Sequence, residues 1–216
     1  MNEPAPSSAR PSAVVFDLGG VLIDWDPRHL YRSLFAGDED AMETFLATVC
    51  TPDWNRQQDS GRPWSEAIAE LIAEHPDQAD LISAYWERWP ETLGEPIAPT
   101  VDILAELRTS GIRLYALSNW SAETFPLARP RYPFLDWFDD IVISGEIRAA
   151  KPDRRAYEAL LDRQALRPEE VLFIDDVAAN VEAAQALGIR STRFTSAADL
   201  RRELAGLGLL GLGRAV

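Results

Sequence analysis

A chain of 216 residues, 46% of them hydrophobic, can bury one substantial core, or one core with a modest accessory lobe. Its 21 basic and 35 acidic side chains give a formal charge of -14, which repels phosphate backbones and anionic lipid and argues against nucleic acid or a membrane as partner. One cysteine, Cys50, excludes an internal disulfide, no apolar run has the length of a membrane span, and the opening MNEPAPSSARPS lacks the apolar stretch of a signal peptide; residues 1–12 read as a disordered tail and the protein as soluble and cytoplasmic.

The first element is the run Ala13, Val14, Val15, Phe16, which has no polar alternation and therefore reads as a strand covered on both faces, as in a parallel sheet. It ends at Asp17, and Gly19 and Gly20 free the backbone to turn and approach a ligand. In open α/β sheets ligands bind at the C-terminal edge of the strands, so Asp17 is a candidate nucleophile or metal ligand; an aspartate capping the next turn is the plainer alternative.

Residues 27–95 carry apolar spacing of helical period over 41–50, 66–74 and 79–89, with Ser65 as cap of the second segment and Pro76 and Pro90 as stops. No strand pattern interrupts them, and they have the size of a helical lobe inserted after the first strand. From Thr100 onward helix and strand alternate: a helix over 101–110 closed by Gly111, a strand over 113–117 running into Ser118 and Asn119, a short helix over 122–129, an apolar strand at 141–143, a helix over 154–163, the strand VLFID at 171–175, a helix over 181–187 closed by Gly188, a last strand at 191–194 and a helix at 198–204. Such alternation predicts an α/β three-layer sandwich on a parallel sheet. The Gly- and Leu-rich end, 206–216, reads as a loosely ordered tail, with an apolar extension or a self-association surface as alternatives.

Asp17, Ser118 and the pair Asp175 and Asp176 each follow a strand, and Lys151 precedes a Pro-led helix. Each alone fits a structural role as cap or helix start. Together they converge on one edge of the sheet.

These residues resemble the haloacid dehalogenase superfamily, whose phosphatase members carry the motifs FDLGGVL (16–22), LSN (117–119), KPD (151–153) and FIDDVAAN (173–180) in this order. The resemblance runs from Ala13 to about Phe194 and implies a Rossmann-like core formed by 13–26 and 96–216 with a helical cap over 27–95. It further implies Asp17 as nucleophile, forming an aspartyl-phosphate that water hydrolyses. Ser118, Asn119, Gly20 and Lys151 would bind the phosphoryl group, and Mg²⁺ would be held by Asp17, Asp175, Asp176 and the Gly19 carbonyl. Mg²⁺ takes oxygen ligands and keeps several waters, so a few carboxylates suffice, and with Lys151 it offsets the repulsion between carboxylate and phosphate.

Gly19 is the departure. Most phosphatases of the superfamily have a second aspartate there, which protonates the leaving oxygen and then activates water, and losing such a group commonly costs about 10² to 10⁴ in rate. Three readings follow. The first is a Mg²⁺-dependent phosphatase of a small monoester, such as a sugar phosphate, similar to glucose 1-phosphate phosphatases, which share the glycine, and to the N-terminal phosphatase domain of epoxide hydrolases; Asp24, Asp26 or a cap residue would then supply the proton. The second is a metal-free 2-haloacid dehalogenase, against which the pair Asp175 and Asp176 argues. The third is a non-catalytic relative that binds a phosphorylated ligand.

Trp25 and Trp120, adjacent to motifs, are expected to line the pocket, whereas Trp54, Trp64, Trp86 and Trp89 are read as packing. Arg56 and Arg62 read as solvated, or else as contacts for a distal substrate group. His29 and His75 have no partner at catalytic spacing, and Cys50 reads as core. Oligomeric state is not legible.

Overall fold

In the computed structural model, which describes residues 10–211, the run Ala13–Phe16 (β1) lies at the centre of a sheet with none of its surface exposed. Ile23–Trp25 (β2) then leads into helices Arg28–Leu34 (α1), Glu39–Thr48 (α2), Pro52–Asp59 (α3), Trp64–Glu74 (α4) and Ala79–Glu87 (α5), and Leu93–Pro96 (β3) returns antiparallel to β2. There follow Ala98–Thr109 (α6), Arg113–Ser118 (β4), Phe125–Ala128 (α7), Asp140–Ile143 (β5), Ser144–Ile147 (α8), Arg154–Gln164 (α9), Val171–Asp175 (β6), Ala178–Ala186 (α10), Arg190–Arg193 (β7) and Ala197–Gly206 (α11). Five strands pair in parallel in the order β5-β4-β1-β6-β7.

Alternation along the strands makes two cores. Val14 and Phe16 point to the face packed by Leu104 and Leu107 of α6 and Leu200 and Leu204 of α11, while Ala13 and Val15 point to the face packed by Leu160 and Leu161 of α9 and Ala184 of α10. The expected three-layer α/β sandwich is thus the observed one. The first of these cores continues without a break through Leu18 and Leu22 into Trp54, Trp64 and Tyr85 of the helices between β2 and β3. Among the described residues no helix is long and apolar enough to cross a membrane.

Several local expectations are corrected. The ribbon β2–β3 has no counterpart in the sequence reading, because strands of three and four residues, one ending in proline, are too short to show a period. Helix α4 starts at Trp64, one residue before Ser65, and Ser65 does not cap it. The Trp64 N–H is instead accepted by the Glu123 carboxylate at 3.0 Å, a cap supplied from the loop after β4. The helix expected over 122–129 shrinks to α7, with Pro126 in its first turn and Pro130 just past its end, since proline serves only at a helix start. At the C-terminal end, Gly208 adopts φ +68°, the Leu209 N–H donates to the Leu204 carbonyl at 2.8 Å, and Leu209 and Leu210 are buried in the core rather than loosely ordered. Residues 212–216, like 1–9 of the expected N-terminal tail, lie outside the described residues; Pro11 is buried and the Ser12 N–H bonds to the Glu170 carbonyl.

Past the end of α3 the helical segment meets the core almost backbone to backbone. Gly61 has φ +96°, and a Cβ on it would stand 2.9 Å from Cγ of Arg148 and 3.1 Å from the Gly145 carbonyl. Gly61→Val combines a left-handed conformation with one contact at which the Arg148 stem must shift and a second, to a backbone carbonyl, tighter than ordinary van der Waals contact. It should cost about 1–3 kcal/mol, read by urea unfolding, and lower ligand affinity of the adjoining cavity.

Candidate active site

The parallel register sets Phe16 level with Ile174, so that Asp17 and Asp175 leave the sheet side by side; the Asp17 N–H still donates to the Ile174 carbonyl at 2.8 Å. Ser118 ends the neighbouring strand β4. Three of the predicted groups therefore reach one edge through strand pairing alone, and Lys151 is brought to them by the turn before α9.

That turn is held by Asn119. Its amide oxygen accepts the Lys151 N–H at 2.8 Å and its amide nitrogen donates to the Lys151 carbonyl at 2.9 Å, a two-point grip on one residue's backbone. The resemblance gives the Asn119 backbone amide to the phosphoryl group; its side chain is spent on Lys151, and the residue lines the cavity. Lys151 Nζ, wholly buried, lies 2.9 Å from Asp17 Oδ2 and 2.6 Å from Asp175 Oδ2, with the Phe173 ring 5.4 Å away. Burial opposes its charge, yet the two carboxylates outweigh burial and hold it above the usual lysine range.

Asp175 has no exposed surface and is saturated with donors: Lys151 Nζ, the Val177 N–H at 2.8 Å and the Asn180 amide at 3.0 and 3.1 Å to its two oxygens. Asn180 closes the fourth motif, and its position five residues after Asp175, in the first turn of α10, is the signal that marks it. Asp17 receives the Leu18 N–H on Oδ1 at 2.7 Å. Burial first, then Asp175 and Asp176, push its carboxyl up to about 7, with Lys151 pulling the other way. Asp176 is raised too, by burial and then by Asp175. Its carboxylate occupies the space a side chain on Gly20 would need, 2.5 Å from the Cβ position, and Gly20 has φ +71°; glycine is required there on both counts.

Oxygens of Asp17, Asp175 and Asp176 lie within 4.8 Å of one another. Three carboxylates against one ammonium leave a negative excess, and an all-oxygen donor set of this kind fits a hard divalent cation. A cavity of about 440 Å³ opens beside them, lined by Asp17, Gly19, Gly20, Ser118 and Asp176 from the sheet edge and by Pro52, Asn55, Arg56 and Asp59 from α3, with Trp25, Trp89 and Trp120 between. Trp25 and Trp120 are where the sequence placed them. Trp89, read as packing, also lines the cavity, while Trp54 and Trp64 pack on Tyr85 and Trp86 stacks on Trp64, as expected of packing residues. Arg56 lines the cavity; Arg62 does not, its guanidinium held by Gln57 and Glu70. His29 pairs with Asp24 at 3.0 Å, away from the cavity lining. Cys50 is buried, and burial pushes its thiol up to about 12, so it is no nucleophile.

The residues that sequence reasoning missed come from α3. Asp59 is its last residue, a position where the helix dipole disfavours a carboxylate, and burial pushes it up to about 7 despite a hydrogen bond from the Ser121 backbone and the charge of Arg56.

Residues 11–188 match the haloacid dehalogenase-like hydrolase family. The chain belongs to that family. The hydrolase is 26% identical over 192 residues to the sesquiterpene phosphatase astK of Aspergillus oryzae, covering 89% of this chain and 94% of the relative. It is 28% identical over 185 residues to the phosphorylated carbohydrates phosphatase of Thermotoga maritima, covering 82% of each. Among solved structures, a predicted HAD-like family hydrolase from Porphyromonas gingivalis superposes with a TM-score of 0.69 at 26% identity, covering 91% of this chain and 98% of that one. This is a phosphatase-type hydrolase of the family, and the expected fold, enzyme class and superfamily hold.

Two stability effects follow from the site. Lys151→Met leaves Asp17 and Asp175 as buried carboxylates without their cation and should cost about 3–5 kcal/mol in denaturant unfolding. Asp59, ordinarily near 3.8 but about 7 in the fold, binds a proton more tightly folded than unfolded, so stability declines as pH rises from about 4 to about 7 and is level above. Asp59→Asn removes that decline. Its Tm should exceed the parent's by a few degrees at pH 8, with the gap closing toward pH 4, in scanning calorimetry.

Proposed function

We propose that this hydrolase cleaves a small phosphate monoester through an aspartyl-phosphate on Asp17, with Mg²⁺ held by Asp17, Asp175, Asp176 and the Gly19 carbonyl. The observation that carries the reading is the trio of carboxylates within 4.8 Å beside a buried lysine. A halide-releasing site has no use for so much negative charge, whereas a phosphoryl-transfer site needs it to recruit a cation. Bound there, Mg²⁺ would supply positive charge next to the phosphoryl oxygens.

The chain's own residues do the rest. Hydrogen bonds from Leu18 N–H and Lys151 Nζ take one oxygen each of Asp17 and fix the carboxylate's orientation. An oxygen of Asp17 attacks phosphorus, the bond to the leaving oxygen breaks, and the alcohol departs with a proton. Ser118, the Asn119 backbone and Lys151 bind the phosphoryl oxygens, Lys151 acting as a fixed charge in a dry setting where it is strongest. Water then displaces Asp17 from phosphorus and orthophosphate leaves.

The segment 27–95 serves as the cap that selects the leaving group. Indole faces of Trp25, Trp89 and Trp120 offer an apolar wall, and Asn55 and Arg56 offer polar contacts, a combination suited to a ligand with an apolar face and hydroxyl groups, as a sugar phosphate has. The names of the two phosphatase relatives point to phosphorylated terpenoid and carbohydrate compounds, both compatible with such a wall.

Phosphate release from p-nitrophenyl phosphate and a panel of sugar and prenyl phosphates should require Mg²⁺, cease with EDTA and disappear in Asp17→Asn. Halide release from 2-chloropropionate without metal, and no phosphate release with it, would establish the dehalogenase reading instead.

A further inference from the structure

We propose that Asp59 is the general acid and base that Gly19 cannot be, delivered to the reacting centre from α3; this role rests on the phosphatase reading. The carboxyl groups lining the cavity are Asp17, Asp176 and Asp59. The first two belong to the acidic trio, so Asp59 is the lining carboxyl left free for proton transfer.

Its surroundings fit that work. Among the described residues its side chain makes no ion pair: Arg56 bonds to Asp53 at 3.3 Å instead, and the partners of Asp59 are the neutral Asn55 amide at 3.1 Å and the Ser121 backbone N–H. The charged and titratable groups that face it are Arg56 on its own helix and Tyr85 on α5. A carboxyl so placed titrates near neutrality, so that both the acid form a leaving group needs and the base form water needs are populated. Its backbone is fixed to the site: Ser144 Oγ donates to the Asp59 carbonyl at 2.5 Å and accepts the Trp120 N–H at 2.9 Å, tying the end of α3 to the residue after Ser118 and Asn119.

The competing acids fare worse. Asp24 is paired with His29, and Asp26 accepts the Arg28 N–H at 2.9 Å and its guanidinium at 3.2 Å; neither lines the cavity. In the forward step the Asp59 proton passes to the ester oxygen as its bond to phosphorus breaks and the alcohol leaves. The Asp59 carboxylate then takes a proton from water as that water's oxygen attacks the phosphorus of the aspartyl-phosphate, and Asp17 departs as carboxylate.

Leaving-group dependence tests the role, because nitrophenolate departs without a proton and an alkoxide does not. With Mg²⁺ present, kcat/KM is measured for p-nitrophenyl phosphate and for a primary alkyl phosphate in the parent, Asp59→Asn, Gly19→Asp and the double variant. A Cβ on Gly19 meets nothing within 4 Å, so a side chain can leave the backbone there. Asp59→Asn should lose about 10² to 10⁴ on the alkyl ester and stay within about threefold on the nitrophenyl ester, where a burst and a slow phase would mark stalled water attack. The double variant should regain alkyl activity. Equal losses on both esters would make Asp59 merely structural and overturn the role, as would an undiminished alkyl rate. Should the parent release phosphate from neither ester, the phosphatase reading itself fails and this role with it; release from both, followed by either adverse result in the variant, sinks the role alone.

Discussion

The site depends on one buried ammonium. Lys151 Nζ stands between Asp17 and Asp175, and without it two carboxylates would be driven together at the end of adjacent strands with no counter-charge. A lysine with no exposed side chain cannot search for its partners, so its backbone must already be in place, which is the work of the Asn119 grip. Asp175 in turn is held by Asn180, and Asn180 offers its carbonyl to Tyr157 Oη–H at 2.8 Å on α9, the helix that follows Lys151. The charges, their orienting amides and the helix are thus a closed circuit in which each member limits the freedom of the next.

Much of this circuit was legible because strands announce their own ends. An unbroken apolar run followed by a polar residue locates the C-terminal edge of a parallel strand, and Phe16 to Asp17, Leu117 to Ser118 and Ile174 to Asp175 all do so. Lys151 needed the motif pattern as well, since a Lys-Pro in a turn carries no periodicity. The work of the Asn119 side chain was not legible for a physical reason: its partner in space lies 32 residues away, and local pattern cannot show a bond of that kind.

Beyond the sheet, legibility fell. The helices of 27–95 were visible from their apolar spacing, but which of their polar residues face inward was not, because Asn55, Arg56 and Asp59 share the WNRQQDSGRP stretch with residues that face water. Helix α3 has few apolar residues to mark a buried stripe, and its inner face is polar because it borders a cavity rather than a core. Similarly, the cap of α4 came from Glu123, 59 residues downstream, where sequence logic looked for it one step away.

The unbroken core joining the sheet to the helices from Phe16 to Tyr85 has an evolutionary consequence. A lobe fused to its base in this way cannot be exchanged as a module without exposing apolar surface on both sides, so new specificities must arise by point changes within it. The permissive position is the one where α3 borders empty space without holding another group in place, Arg56: altering it reshapes the wall that meets the substrate while the interior that keeps the fold upright stays untouched.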